Sequence, residues 1–163
     1  MKTEMKEKSI SELFTLISEI NQKIKLNDKI LSTLFETENE NFVVDFDVVY
    51  EEIISLNKIV RDILKTIQFE NTVNKLFINL NNTNEETYSV LDIISLRDTL
   101  IFEIEKNKIT IKLLENNKQK NNVIALKLQE KNFEIHKKLN IIKNTLYKFN
   151  NSHIIRIEIP KDI

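Results

Sequence analysis

Residues 10–34 read ISELFTLISEINQKIKLNDKILSTL, and the fold turns on how this stretch is periodic. Ile10, Leu13, Ile17, Ile20, Ile24, Asn27, Leu31 and Leu34 are spaced alternately by three and four. That alternation puts all eight on one stripe of a helix packed lengthwise against another. Phe14, Leu16, Ile30 and Phe35 widen the stripe, which suits a bundle better than a bare two-stranded coil. Ser9 followed by Glu12 is a capping box that opens the helix. Asn27, the one polar residue on the stripe, is expected to set register between helices.

The same spacing recurs three times. Val49, Ile53, Leu56, Val60, Ile63 and Ile67 mark a second helix, expected to run to about Asn79 with a slip near Glu70. Val90, Ile93, Arg97, Leu100, Ile104, Asn107, Ile111 and Leu114 mark a third, and Leu128, Asn132, Ile135, Leu139, Ile142, Leu146 and Phe149 a fourth. NLNNTNEETY (residues 79–88) reads as a loop in which asparagines stand in for glycine, with Thr83 or Asn84 capping the third helix. ENNKQKNN, residues 115–122, has no apolar residue, so it reads as a turn. The heptad phase nonetheless passes through it unbroken, and one helix of about 60 residues is the alternative.

Two segments read as strands. FVVDF, residues 42–46, is β-branched and aromatic, and the tail HIIRIEIP alternates, with His153, Ile155, Ile157 and Ile159 on one face and Ile154, Arg156 and Glu158 on the other. The expectation is a mainly α protein: an antiparallel bundle of about four long helices, with a short strand pair formed by residues 42–46 and 154–159. One helical domain would span residues 1–163, with a strand tail at 153–163.

Composition removes whole classes of chemistry. The 163 residues include no Gly and no Cys. That excludes the glycine-dependent phosphate loops, the dinucleotide fingerprint, disulfides, thiolate zinc sites and cysteine nucleophiles. Twenty-four cations against 25 anions leave no field to gather duplex nucleic acid. No stretch of about 18 apolar residues exists to span a membrane, no signal peptide is read, and a cytoplasmic protein is expected. His136 and His153 have no ligand cluster in the sequence, so neither metal nor cofactor is expected. Glu51-Glu52, Glu85-Glu86 and Glu103 with Glu105 are assigned to solvated surface.

Arginine is scarce, and two of its three positions form Arg-Asp pairs on helices: Arg61-Asp62 and Arg97-Asp98. Arg97 occupies a stripe position, where an unpaired guanidinium would be costly, so it needs an acid such as Asp98, Asp62 or Glu103, or an anionic ligand. The candidate ligand-binding residues are accordingly Arg97, Arg61, Asn84, Tyr88 and Asp98, placed near an asparagine-rich helix start.

NNTNEETYSVLDIISLRDTL, with Asn82-Thr83-Asn84 and Arg97-Asp98, resembles a family of small bacterial helical proteins described as septicolysin-like. The resemblance covers roughly residues 50 to 151. The chain departs from the family pattern in ending on Asn150-Asn151 without a Trp and in lacking the glycines between loop and Arg-Asp. The resemblance implies a helical, oligomeric protein without an enzyme activity to transfer, and its label implies membrane-active toxins.

The sequence thus points to a non-enzymatic, self-associating helical interaction protein. An oligomeric binder that grips or sequesters an anionic metabolite or nucleotide, as small phage or plasmid proteins can, is one alternative, and the membrane-active toxin-like protein that the resemblance implies is another. The partners expected are further copies of the chain, a small anionic ligand or a partner protein.

Overall fold

The computed structural model describes residues 3–36, 42–80, 86–116 and 122–160. The order of elements is β1 (Thr3–Ser9), α1 (Ile10–Glu36), α2 (Phe42–Val73), β2 (Lys75–Ile78), β3 (Glu86–Ser89), α3 (Val90–Asn116), α4 (Asn122–Ser152) and β4 (Ile154–Pro160). The protein is mainly α, with four long helices and two short antiparallel strand pairs. Its contacts gather into two compact units, one formed by Met1–Phe69 with Asn150–Ile163 and the other by Glu70–Phe149.

In the first unit α1 and α2 form a helical hairpin. The seam is the stripe of Ile10, Leu13, Ile17 and Ile20 on α1 with Ile53, Leu56, Ile63 and Ile67 on α2, all buried. Ser9 and Glu12 close the expected capping box. The Ser9 N–H donates to Glu12 Oε2 at 2.6 Å, its hydroxyl donates to the same oxygen at 2.8 Å, and the Glu12 N–H donates to Ser9 Oγ at 3.2 Å. These contacts satisfy backbone donors that the first helical turn leaves open.

In the second unit α3 and α4 form the corresponding hairpin, so the polar octet separates two helices rather than continuing one. Asn107 on α3 bonds Asn132 on α4, and Ile104 packs with Ile135 and Leu139, a progression that only antiparallel helices produce. Residues 117–121 lie outside the described residues.

The units repeat one plan. Ser9 and Ser89, Glu12 and Asp92, and Asn27 and Asn107 each stand 80 positions apart. Ser89 caps α3 as Ser9 caps α1, its hydroxyl donating to Asp92 Oδ2 at 2.6 Å and accepting the Asp92 N–H at 3.1 Å. The expected caps Thr83 and Asn84 lie outside the described residues, and α3 begins later than they would place it, because Glu86–Ser89 pairs as a strand.

Three further expectations are corrected. Residues 42–46 are helical, not a strand: Phe42 and Phe46 extend the four-three spacing of Val49 and Ile53 backwards, and the Phe46 and Tyr50 rings stack one turn apart at 5.6 Å. The partner of the tail strand is instead β1, with Glu4 opposite Ile159, Lys6 opposite Ile157 and Glu7 opposite Arg156. The tail does alternate as expected, Ile155, Ile157 and Ile159 buried and Ile154 exposed. Finally, α2 stops at Val73, short of Asn79, because Asn74 turns its side-chain amide back to the Glu70 carbonyl at 2.8 Å. Leu76 and Phe77 then pair with Tyr88 and Thr87 across β2 and β3.

Each seam is interrupted by one buried asparagine at the same level. Asn27 Nδ2 donates to Glu52 Oε2 at 3.0 Å, and Asn107 Nδ2 donates to Asn132 Oδ1 at 2.8 Å. A buried amide keeps its place only where its partner meets it, so each pair penalises a slipped register. Asn107→Ala, which strands the Asn132 carbonyl, is expected to cost about 1–3 kcal/mol in urea unfolding. Replacing Asn107 and Asn132 together by Leu is expected to recover that loss.

Candidate functional site

Five residues were candidates for gripping an anion, and the structure joins two of them. Arg97 Nε and Nη2 both reach Asp98 Oδ1 at 2.8 Å. The arginine side chain is about a third exposed and its partner more so. Arg97 is therefore at the rim of its seam, its charge met by the next residue rather than by an acid on another helix. Arg61 is exposed and belongs to the first unit, whereas Tyr88 is half-buried on β3 in the second. Asn84 lies outside the described residues.

The ion pairs that do cross a seam are different ones. Lys23 Nζ meets Glu52 Oε1 at 2.8 Å in the first unit, and Lys131 Nζ meets Glu103 Oε1 at 2.6 Å in the second. Glu52 and Glu103, read from sequence as solvated surface, are half-buried and carry these bridges. Glu52 faces Lys23 and Asn27 at once, which ties two α1 residues one turn apart to a single carboxylate. Lysine at the seam's edge is hard to read from sequence, since its long stem reaches several positions.

His136 is exposed on α4 and His153 is half-buried just before β4. Among the described residues, no group of three or more histidines, aspartates or glutamates could hold a metal ion. Also among the described residues, no helix is long and apolar enough to cross a membrane.

A different feature stands out, and the seam pattern hid it. Helices α3 and α4 carry apolar residues on the face turned away from their seam. On α3, Phe102, Ile109 and Leu113 are 71%, 61% and 61% exposed. At 3.6 residues per turn they fall opposite the stripe of Ile104, Asn107 and Ile111. On α4, Leu126 and Phe133 lie opposite Leu128, Ile135 and Leu139 and are exposed to a similar degree, with Ile141 on the same face. Lys137 covers part of this face, its ammonium 4.4 Å from the centre of the Phe133 ring. The signal is present in the sequence as a second, weaker stripe, overshadowed by the longer and more regular stripe of the seam.

No protein-family model matches the chain, and neither curated proteins nor solved structures show a significant similarity to it. Nothing in those comparisons bears on the septicolysin-like resemblance, whose Asn82-Thr83-Asn84 element lies outside the described residues.

Two carboxylates are tuned by the contacts just described. The Ser9 N–H and hydroxyl hold the Glu12 carboxyl below its ordinary value of 4.5. The bond from Lys23, helped by Asn27 and opposed by partial burial, holds Glu52 below the same value. A carboxyl depressed in the folded state contributes its stability in full above the unfolded value and loses it as pH falls through the lower folded value. Stability is therefore expected to decline from about pH 4.5 downward, and Glu52→Gln to flatten that decline while lowering stability at pH 7. Thermal unfolding of both proteins between pH 2 and 7 measures this.

Proposed function

We propose that this chain is a non-enzymatic helical interaction protein that associates with copies of itself. The observation that carries the reading is the distribution of apolar side chains. Among the described residues, large apolar side chains left exposed are as numerous as the buried core. Scattered exposed leucines are ordinary, but contiguous apolar stripes on helices mark surfaces that are covered in use. Association buries such stripes and gives them the same driving force that closes each seam.

The absence of glycine-dependent loops and of cysteine in the sequence supports a role in binding rather than catalysis. A grip on an anionic metabolite or nucleotide has less support. Arg97 already spends its Nε and one Nη on Asp98, and an incoming anion must displace that carboxylate.

Sedimentation velocity at tens of micromolar is the direct test. An oligomer whose population rises with protein concentration is expected, and a monomer throughout that range removes the proposal.

A further inference from the structure

The sheet of the first unit has two strands, β1 and β4, so each keeps one long side that no other strand among the described residues occupies. Such a side is a row of backbone donors and acceptors able to pair with another chain. A two-stranded ribbon is also marginal by itself and gains from added strands. The two open sides differ in what their side chains permit.

Strand β1 guards its own side. Glu4, Lys6 and Lys8 stand opposite Ile159, Ile157 and Ile155 and are half-buried on the face that those isoleucines share. Charges turned inward along an edge oppose a further strand, whose own inward residues would lie beside them. Pairing β1 with a second β1 about its middle would also set Lys6 against Lys6. Strand β4 has no such guard. Its inward residues are the buried Ile155, Ile157 and Ile159, and its outward ones are the exposed Ile154, Arg156 and Glu158. Pro160 lacks an N–H and closes the strand, so the open side runs from Ile154 to Ile159.

That side is complementary to itself. Residues directly opposite each other in an antiparallel ladder point to the same face. Two copies of β4 therefore match inward to inward only when a two-fold axis falls on a residue rather than between residues. An axis on Arg156 sets Arg156 against Arg156, and one on Glu158 sets Glu158 against Glu158. The axis on Ile157, between them, sets each Arg156 against the other copy's Glu158. On the inward face it sets Ile157 against Ile157 and Ile155 against Ile159. Opposite charges facing across strands stabilise the pair and like charges oppose it, so this register is favoured over its neighbours on both sides.

The counterpart strand in the repeat lacks the pattern. Phe77 and Asn79 stand 79 positions before Arg156 and Glu158. Strand β2 is also four residues long against seven for β4. Only β4 of the two carries opposite charges set two apart, the spacing that a two-fold axis turns into reciprocal contacts.

We infer that β4 pairs antiparallel with β4 of a second copy about a two-fold axis through Ile157, joining the two ribbons into a four-stranded sheet of order β1-β4-β4-β1. This rests on the self-association reading and names its contact. The backbone ladder supplies the attraction, as when any strand adds to an open sheet edge, and Arg156 with Glu158 fixes the register.

Charge reversal tests the register without touching the isoleucines. Arg156→Glu sets acid against acid in both cross-strand pairs, and Glu158→Arg sets base against base. Each protein alone is expected to dimerise about tenfold more weakly than wild type in sedimentation velocity. Mixed in equal amounts, the two regain both opposite-charge pairs and are expected to associate as wild type does. Arg156 also faces Glu7 within its own chain, so the mixture controls for any effect on the β1–β4 ladder, and unchanged circular dichroism checks that each variant folds. Because the chain has no cysteine, Arg156→Cys and Glu158→Cys proteins give a second readout. Mixed and oxidised, they are expected to form a disulfide-linked heterodimer, with several-fold less linkage in either protein alone. A wild-type monomer at tens of micromolar overturns this inference and the self-association reading together. A wild-type oligomer that neither charge reversal weakens overturns pairing through β4 and leaves self-association standing. Weakened variants that do not recover on mixing, or an oligomer with no mixed disulfide, overturn the axis on Ile157.

Discussion

The burial of isoleucine and leucine along two antiparallel seams is the constraint on which the structure depends. Each fully buried aliphatic side chain is worth about 1.5–3 kcal/mol relative to exposure, while an exposed ion pair is worth about 0–1 kcal/mol. Ile20, Ile63, Ile93 and Ile142, almost wholly removed from solvent, therefore outweigh bridges such as Lys131–Glu103 in holding a hairpin closed. The polar contacts have another role. A continuous apolar seam tolerates sliding by a heptad, and one buried amide per seam makes that slide expensive.

The two strand pairs finish what the seams begin. Seven residues of β1 are matched along their whole length to β4, and the shorter β2 is matched to β3. The ladder is backbone, so β1 needs little from its side chains. That is how TEMKEKS, a charged and weakly β-prone segment, serves as a strand while the far more β-prone FVVDF is helical. Propensity at Phe42–Phe46 yields to the continuing four-three spacing, which joins these residues to the helix that carries Val49 and Ile53.

The repeat places the functional argument. Two hairpins built on one plan, with caps and seam asparagines in step, need the same inward faces and are free to differ on the outward ones. Gln22, Lys29 and Thr33 stand on α1 where Phe102, Ile109 and Leu113 stand on α3. Stability of a single hairpin does not require that difference, since the seam is closed without it.

Much of this was legible in the chain itself. The stripes of all four helices, the Ser9–Glu12 cap, Asn27 on its seam and the alternation of Ile155, Ile157 and Ile159 follow from period and side-chain chemistry, which are local properties. What required the folded structure is the choice of partner beyond that cap. Residues 3–9 meet residues 154–160 from the opposite end of the chain, Arg97 turns to its neighbour Asp98, Glu52 gathers Lys23 and Asn27, and Asn74 ends α2 before Asn79. These depend on which groups arrive within about 3 Å of one another after the helices have packed, and spacing along a chain carries no record of that.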